Sequence, residues 1–238
     1  MGVSENINNF TNCITIGRMA PDFTTLSTDG IITLSQYRGK WVVLMSEPGN
    51  FAAVPTTSLV AFAQYHDEFA KRNVQILVLT VNSNFSNIEM MINIYDNNGI
   101  TIPFPILEDR NAEIARKYGS VNPDRMYEES VRDLFIINPE GRIRAILTYP
   151  VSCGRNTYEI LRIIESLQIT EAYNVYTPAN WMPGEPVIVP TTHYFKEALE
   201  RHKSVTDIDS NCTSWYVCFR DYYSLGQPED VSEQRKRC

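Results

Sequence analysis

The stretch WVVLMSEPGNFAAVPTTSL, residues 41–59, decides how the rest of the chain is read. Trp41 to Met45 is an unbroken apolar run of strand length, which predicts a strand covered on both faces of a largely parallel sheet. Pro48-Gly49-Asn50 ends it. From Thr56, apolar residues fall at Leu59, Phe62, Ala63, Phe69 and Ala70, with Gln64, Asp67, Glu68 and Lys71 between them. That spacing predicts an amphipathic helix capped by Thr56 or Thr57, with His66 at its surface or at the edge of the core.

Upstream, Met19 to Lys40 carries short β-prone runs around Thr28-Asp29-Gly30, a hairpin signal. Downstream, Val74 to Val81 reads as a second buried strand, and Ser86 as the cap of a helix that packs Met90 and Met91 and stops at Asn98-Gly99. Phe104 to Leu107 reads as a short strand and Asn111 to Tyr118 as a short helix. Val131 to Ile137 and Arg142 to Leu147 form a hairpin turned at Asn138-Pro139-Glu140-Gly141, and Thr157 to Leu167 a helix. This alternation predicts one layered α/β domain, residues 1–168, with right-handed crossovers. After Gln168 the chain turns proline-rich and aromatic (Thr177 to Gly184), with an extended Pro186 to Pro190 and a short helix from His193 to His202. Residues 169–238 therefore read as a smaller C-terminal module whose closing EDVSEQRKRC is expected to be mobile.

With 43% hydrophobic and 21% charged residues the chain can bury a core. A formal net charge of -7 argues against nucleic-acid and anionic-membrane partners, which select clustered Lys and Arg. Without an apolar stretch of about 20 residues or a signal-like start, a cytoplasmic location is expected. Five cysteines, Cys13, Cys153, Cys212, Cys218 and Cys238, are odd in number and scattered, so reduced thiols are the default. The six-residue step from Cys212 to Cys218 does not fit a zinc knuckle, and His66, His193 and His202 are the only histidines; neither a metal site nor a cofactor is expected.

Several pieces, in order along nearly the whole chain, resemble a peroxiredoxin of the one-cysteine subgroup with a C-terminal extension, within the alkyl hydroperoxide reductase family of antioxidant redox proteins. They are Ala20-Pro21-Asp22-Phe23, Trp41 to Phe51, Val54 with Thr56-Thr57, Phe104-Pro105-Ile106, Val131-Arg132 before Phe135-Ile136-Ile137, and Tyr149-Pro150 before Gly154-Arg155-Asn156. In the extension they are Thr177 to Trp181 and Val189-Pro190. The resemblance implies a thioredoxin-like α/β fold. It also implies a Pro-x-x-x-Thr/Ser-x-x-Cys motif, in which a helix N-terminus and an arginine stabilise a thiolate that attacks a peroxide O–O bond.

Laid on this chain, the motif proline is Pro48, but the hydroxyl position is Ala52 and the cysteine position is Pro55. Alanine has no hydroxyl, and proline has neither a thiol nor a backbone N–H. The histidine common before the proline is Glu47, the aspartate that commonly follows is Asn50, and the glutamate after the Thr pair is Ser58, while the arginines persist as Arg132 and Arg155. Phe51 completes the residues expected around the pocket.

Three functional readings follow. One is a pseudoenzyme or binding protein on a peroxiredoxin scaffold. Another is a repurposed enzyme in which Glu47 is acid or base and Arg132 and Arg155 hold a small anionic ligand, against the simpler reading that Glu47 pairs with one arginine. The last is residual thiol redox at Cys153, Cys212 or Cys218, against the reading of Cys212 and Cys218 as buried structural thiols and a mutual disulfide as the lesser alternative. The resemblance further implies a homodimer, with Tyr173 to Tyr223 embracing the partner and a decameric ring as a further possibility of the family.

Overall fold

A computed structural model describes residues 14–121, 132–205 and 211–225. The expected mobile end, residues 229–238, together with Cys13, Cys238 and Val131, lies outside them. The chain divides into two compact units, Met1–Thr157 and Tyr158–Cys238.

The first unit is built on a seven-stranded sheet. In chain order come β1 (Thr24–Ser27), β2 (Gly30–Thr33), β3 (Trp41–Glu47), α1 (Ala53–Gln64), α2 (His66–Lys71), β4 (Val74–Thr80) and α3 (Asn84–Asn98). They are followed by β5 (Ile106–Glu108), α4 (Glu113–Lys117), β6 (Arg132–Ile137) and β7 (Ile143–Tyr149). The order across the sheet is β2-β1-β5-β4-β3-β6-β7. Only β3, β4 and β5 run parallel; the pairs β1–β2, β1–β5, β3–β6 and β6–β7 are antiparallel. The expectation of a largely parallel sheet is therefore corrected to a mixed one. β3 is buried at all seven positions because it sits inside the sheet between β4 and β6.

Local chemistry explains most element ends. The β6–β7 hairpin turns at Asn138–Gly141, where the Gly141 N–H donates to the Asn138 carbonyl at 2.8 Å. Gly141 has φ +85°, a left-handed conformation that glycine adopts without strain. Gly99, at φ +67°, closes α3 and donates to Tyr95 O at 2.7 Å.

Three expected boundaries are corrected. The cap of α3 is Ser83, whose Oγ accepts from Ser86 N, so Ser86 lies inside the helix it was expected to cap. α1 starts at Ala53, before the threonines: Thr56 Oγ1 donates back to Ala52 O at 2.7 Å and Thr57 Oγ1 to Val54 O at 2.8 Å. Neither hydroxyl caps, because proline in a first helical turn costs no intrahelical bond and lets the helix begin ahead of it. The single helix expected from Thr56 to beyond Ala70 breaks at Tyr65 into α1 and α2.

One face of this sheet buries Leu34, Val42, Leu44, Leu77, Leu79, Phe135 and Ile137, with Tyr118 packed edge-on against Phe135. The second unit contains most of α5 (Thr157–Tyr173), then β8 (Val187–Ile188), α6 (Phe195–Ser204), β9 (Cys212–Ser214) and β10 (Val217–Arg220). Its strands pair in the order β8-β10-β9. Its own core is Ile169, Val175, Trp181, Val187 and Leu225, with Trp181 Nε1 donating to Glu185 O at 2.9 Å. No helix among the described residues is long and apolar enough to cross a membrane.

Candidate functional site

The C-terminal end of β3 delivers Glu47 into the interior, where it is 1% exposed. β6 brings Arg132 alongside, and Arg155 enters from the segment after β7; both guanidiniums are fully covered by protein. Arg132 Nε donates to Glu47 Oε2 at 3.0 Å, and Arg155 Nη1 donates to Glu47 Oε1. Two cations thus share one carboxylate, where the sequence suggested a pair with one. Burial pulls the Arg155 guanidinium below its ordinary proton affinity, and the Glu47 charge opposes that pull.

Most of the remaining donors bond neighbouring oxygens, whereas Arg155 Nε is buried without a hydrogen-bond partner. Arg132 Nη2 donates to Ser58 Oγ at 2.7 Å and Nη1 to the Cys153 carbonyl. Arg155 Nη2 donates to Ser46 O at 2.8 Å and to Asp133 O at 3.1 Å. Ser58 lies one turn beyond Pro55 on the buried face of α1, which also carries Leu59 and Phe62. Pro55 therefore occupies the face of the helix that meets the arginines, and it brings a ring in place of a donor or a nucleophile.

The loop between β3 and α1 is tied down from the side. Asn50 N donates to Asn82 Oδ1 at 2.9 Å, while Asn50 Nδ2 donates to Ser86 Oγ at 3.0 Å and Asn87 Oδ1 at 2.9 Å. Thr80 Oγ1 donates to the same Asn87 oxygen at 2.9 Å. These bonds hold a turn in which Phe51 sits at φ 58°, a left-handed conformation that a bulky residue adopts only when its surroundings impose it. Phe51 and Ala52 face solvent, and Pro48 is half-buried. Ala52 occupies the N-cap of α1 without any side-chain bond to the helix.

The structure thus brings Glu47, Arg132, Arg155, Pro55 and Ser58 together, with Pro48, Phe51 and Ala52 in the adjoining loop. Ser46, Asp133 and the Asn82–Asn87 braces escaped the sequence reading. The polar run Asn82-Ser83-Asn84 directly after a buried strand was the available signal for the braces. Cys153 contributes its backbone carbonyl to Arg132, whereas its thiol is exposed, 3.9 Å from Ser152 Oγ. Cys212 and Cys218 are elsewhere, in the second unit, and form a disulfide. The expectation of two buried thiols is overturned because β9 and β10 pair antiparallel with these two residues opposite each other.

Residues 16–146 match the AhpC/TSA family, more than half of the chain. The chain belongs to the AhpC/TSA family of peroxiredoxins. Residues 166–204 also match the C-terminal domain of 1-Cys peroxiredoxin. Relatives include Peroxiredoxin 2 of Caldanaerobacter subterraneus subsp. tengcongensis, 48% identical over 86% of this chain and 92% of that one. A peroxiredoxin of Aquifex aeolicus is 40% identical over 85% and 95%. Among solved structures, a yeast mitochondrial 1-Cys peroxiredoxin has a TM-score of 0.76 at 34% identity, covering 87% of this chain and 99% of that one. Peroxiredoxin 6 of Arenicola marina has a TM-score of 0.72 at 34% identity, covering 79% and 88%. The thioredoxin-like fold with a C-terminal extension is thus that of the family.

Proposed function

We propose that this peroxiredoxin-family chain does not reduce peroxides through a cysteine at the family's site and acts as a pseudoenzyme or binding protein on that scaffold. One observation carries the reading. The buried arginines, which in the family's chemistry would favour a thiolate, here have the Glu47 carboxylate as their anion, and Pro55 stands where the thiol would be. Glu47 thus supplies from within the chain the counter-charge that both guanidiniums share, one carboxylate against two cations. The same bonds favour the ion-pair role of Glu47 over the acid–base role, since each carboxylate oxygen already accepts from a guanidinium.

Residual thiol chemistry has its best support at Cys153, an exposed free thiol on the segment that touches Arg132. Brief peroxide exposure followed by peptide mass spectrometry tests it. The proposal expects slow oxidation without selectivity; fast, selective sulfenate formation at Cys153 would favour the redox reading instead.

We also infer a homodimer assembled through the second unit. There Tyr194, Phe195 and Trp215 border an open apolar hollow of about 580 Å³ together with Leu199, His193 and His202. Tyr194 is 71% exposed and Phe195 81%, more apolar surface than one short helix leaves uncovered without a partner. Native mass spectrometry at micromolar concentration should show a dimer, and a monomer alone would contradict this.

A further inference from the structure

We propose that the Cys212–Cys218 disulfide is a redox clasp on the face where α6 meets Trp215: closed, it holds that face together, and opened by a dithiol, it releases the face and weakens the dimer. The effect on the dimer rests on the homodimer inferred above; the effect on α6 does not. β9 is a strand of three residues at the edge of the β8-β10-β9 sheet. Its pairing with β10 is confined to Ser214 with Val217 and Cys212 with Cys218, and the register is irregular between Val217 and Cys218. So short an edge hairpin is marginal in water without further support. The disulfide supplies it, joining residues six apart in sequence around a turn at Trp215 and Tyr216. β10 is anchored in another way, through Phe219 with Ile188 and Arg220 with Val187, and Val187 belongs to the core around Trp181. Neither cysteine is part of that core. Opening the bond takes away the edge of the unit and leaves its centre.

α6 depends on that edge. It has no buried residue of its own. Phe195, Ala198, Leu199 and His202 recur at helical spacing and line the hollow with Trp215, which the β9–β10 turn carries. Once β9 is free, Trp215 no longer walls the hollow, and the helix loses the side chain it packs against.

The two sulfurs are unequally placed for exchange. Cys212 is half-buried, whereas Cys218 is 6% exposed. An incoming thiolate reaches Cys212 Sγ, forms a mixed disulfide there and expels Cys218 as a thiolate, which takes a proton from water. Ser214 O, 3.7 Å from Cys218 Sγ, is placed to accept from the new S–H. The second thiol of the reductant then displaces Cys212 and closes a disulfide within the reductant, so one dithiol is oxidised for each clasp reduced. Two exchanges with a small disulfide such as oxidised glutathione restore the bond.

The test compares the full chain before and after excess dithiothreitol. Alkylation and peptide mass spectrometry should label Cys212 and Cys218 only after reduction. Hydrogen exchange should then quicken by about tenfold or more at residues 195–204 and 212–218, while the strand residues beside Trp181 keep their protection. Sedimentation should show the dimer's Kd raised by about tenfold or more. Cys212→Ser/Cys218→Ser should match the reduced chain with or without dithiothreitol, and Cys153→Ser should respond as the parent does, which assigns the effect to the clasp. A parent chain that is monomeric before reduction would contradict the homodimer, and exchange at α6 would still decide the clasp. Four results would overturn the proposal: both cysteines labelled without reductant, α6 exchange unchanged on reduction or in the double variant, protection around Trp181 lost together with that of α6, or a dimer as tight after reduction as before.

Discussion

Replacing Glu47 with glutamine is expected to lower stability by about 3–5 kcal/mol, the usual cost of removing one partner from a buried ion pair. For a chain of this size that corresponds to a fall in Tm of about 10 °C. The side chain keeps its shape, so the loss reports charge. Arg132 and Arg155 are both fully buried and both donate to this carboxylate, and the amide would leave two guanidiniums without their shared counter-ion. Adding Arg155→Met to Glu47→Gln should recover part of the loss, because the second substitution removes one of the stranded charges. A change below about 0.5 kcal/mol for Glu47→Gln, the range typical of an uncoupled surface position, would show that the carboxylate is not what balances the cluster.

A comparable loss is expected in the second unit. Trp181 is 0% exposed and is the largest side chain of the small core formed with Ile169, Val175, Val187 and Leu225. Trp181→Ala should cost about 3–5 kcal/mol by leaving a cavity, and it removes the indole donor from Glu185 O. In so small a unit this is a large share of the net stability. Hydrogen exchange should show the loss concentrated in residues 169–225, with β3 and β4 keeping their protection. Equal loss across both units would contradict an independent core around Trp181.

How much of this was readable in the residues depends on the range of the interaction. The Trp41 to Met45 run, the Asn138–Gly141 turn and the Gly99 stop are local signals, and each element lies where local pattern puts it. The start of α1 was misplaced because Thr56 and Thr57 look like caps, whereas their hydroxyls bond back to Ala52 and Val54 inside a helix that begins before Pro55. The orientation of the outer strands was misjudged because an all-apolar strand reports burial on both faces and says nothing of its neighbours' direction. At the site, Glu47, Arg132 and Arg155 were legible as residues. Their joint geometry was not, since the partners lie 85 and 108 positions apart and no spacing rule spans that distance. The Cys212–Cys218 pairing needed the register of β9 against β10, two strands of three and four residues that give little periodic signal.

The central claim is that the family's site, with Pro55 at the cysteine position and Glu47 as the arginines' anion, does not support thiol peroxidase chemistry. The most direct test is steady-state hydrogen peroxide consumption by the purified chain with excess dithiothreitol, measured beside an ordinary one-cysteine peroxiredoxin and a Cys153→Ser variant. The rate expected for the parent chain is no faster than dithiothreitol alone and is unchanged in the variant. Turnover comparable to the ordinary peroxiredoxin would contradict it.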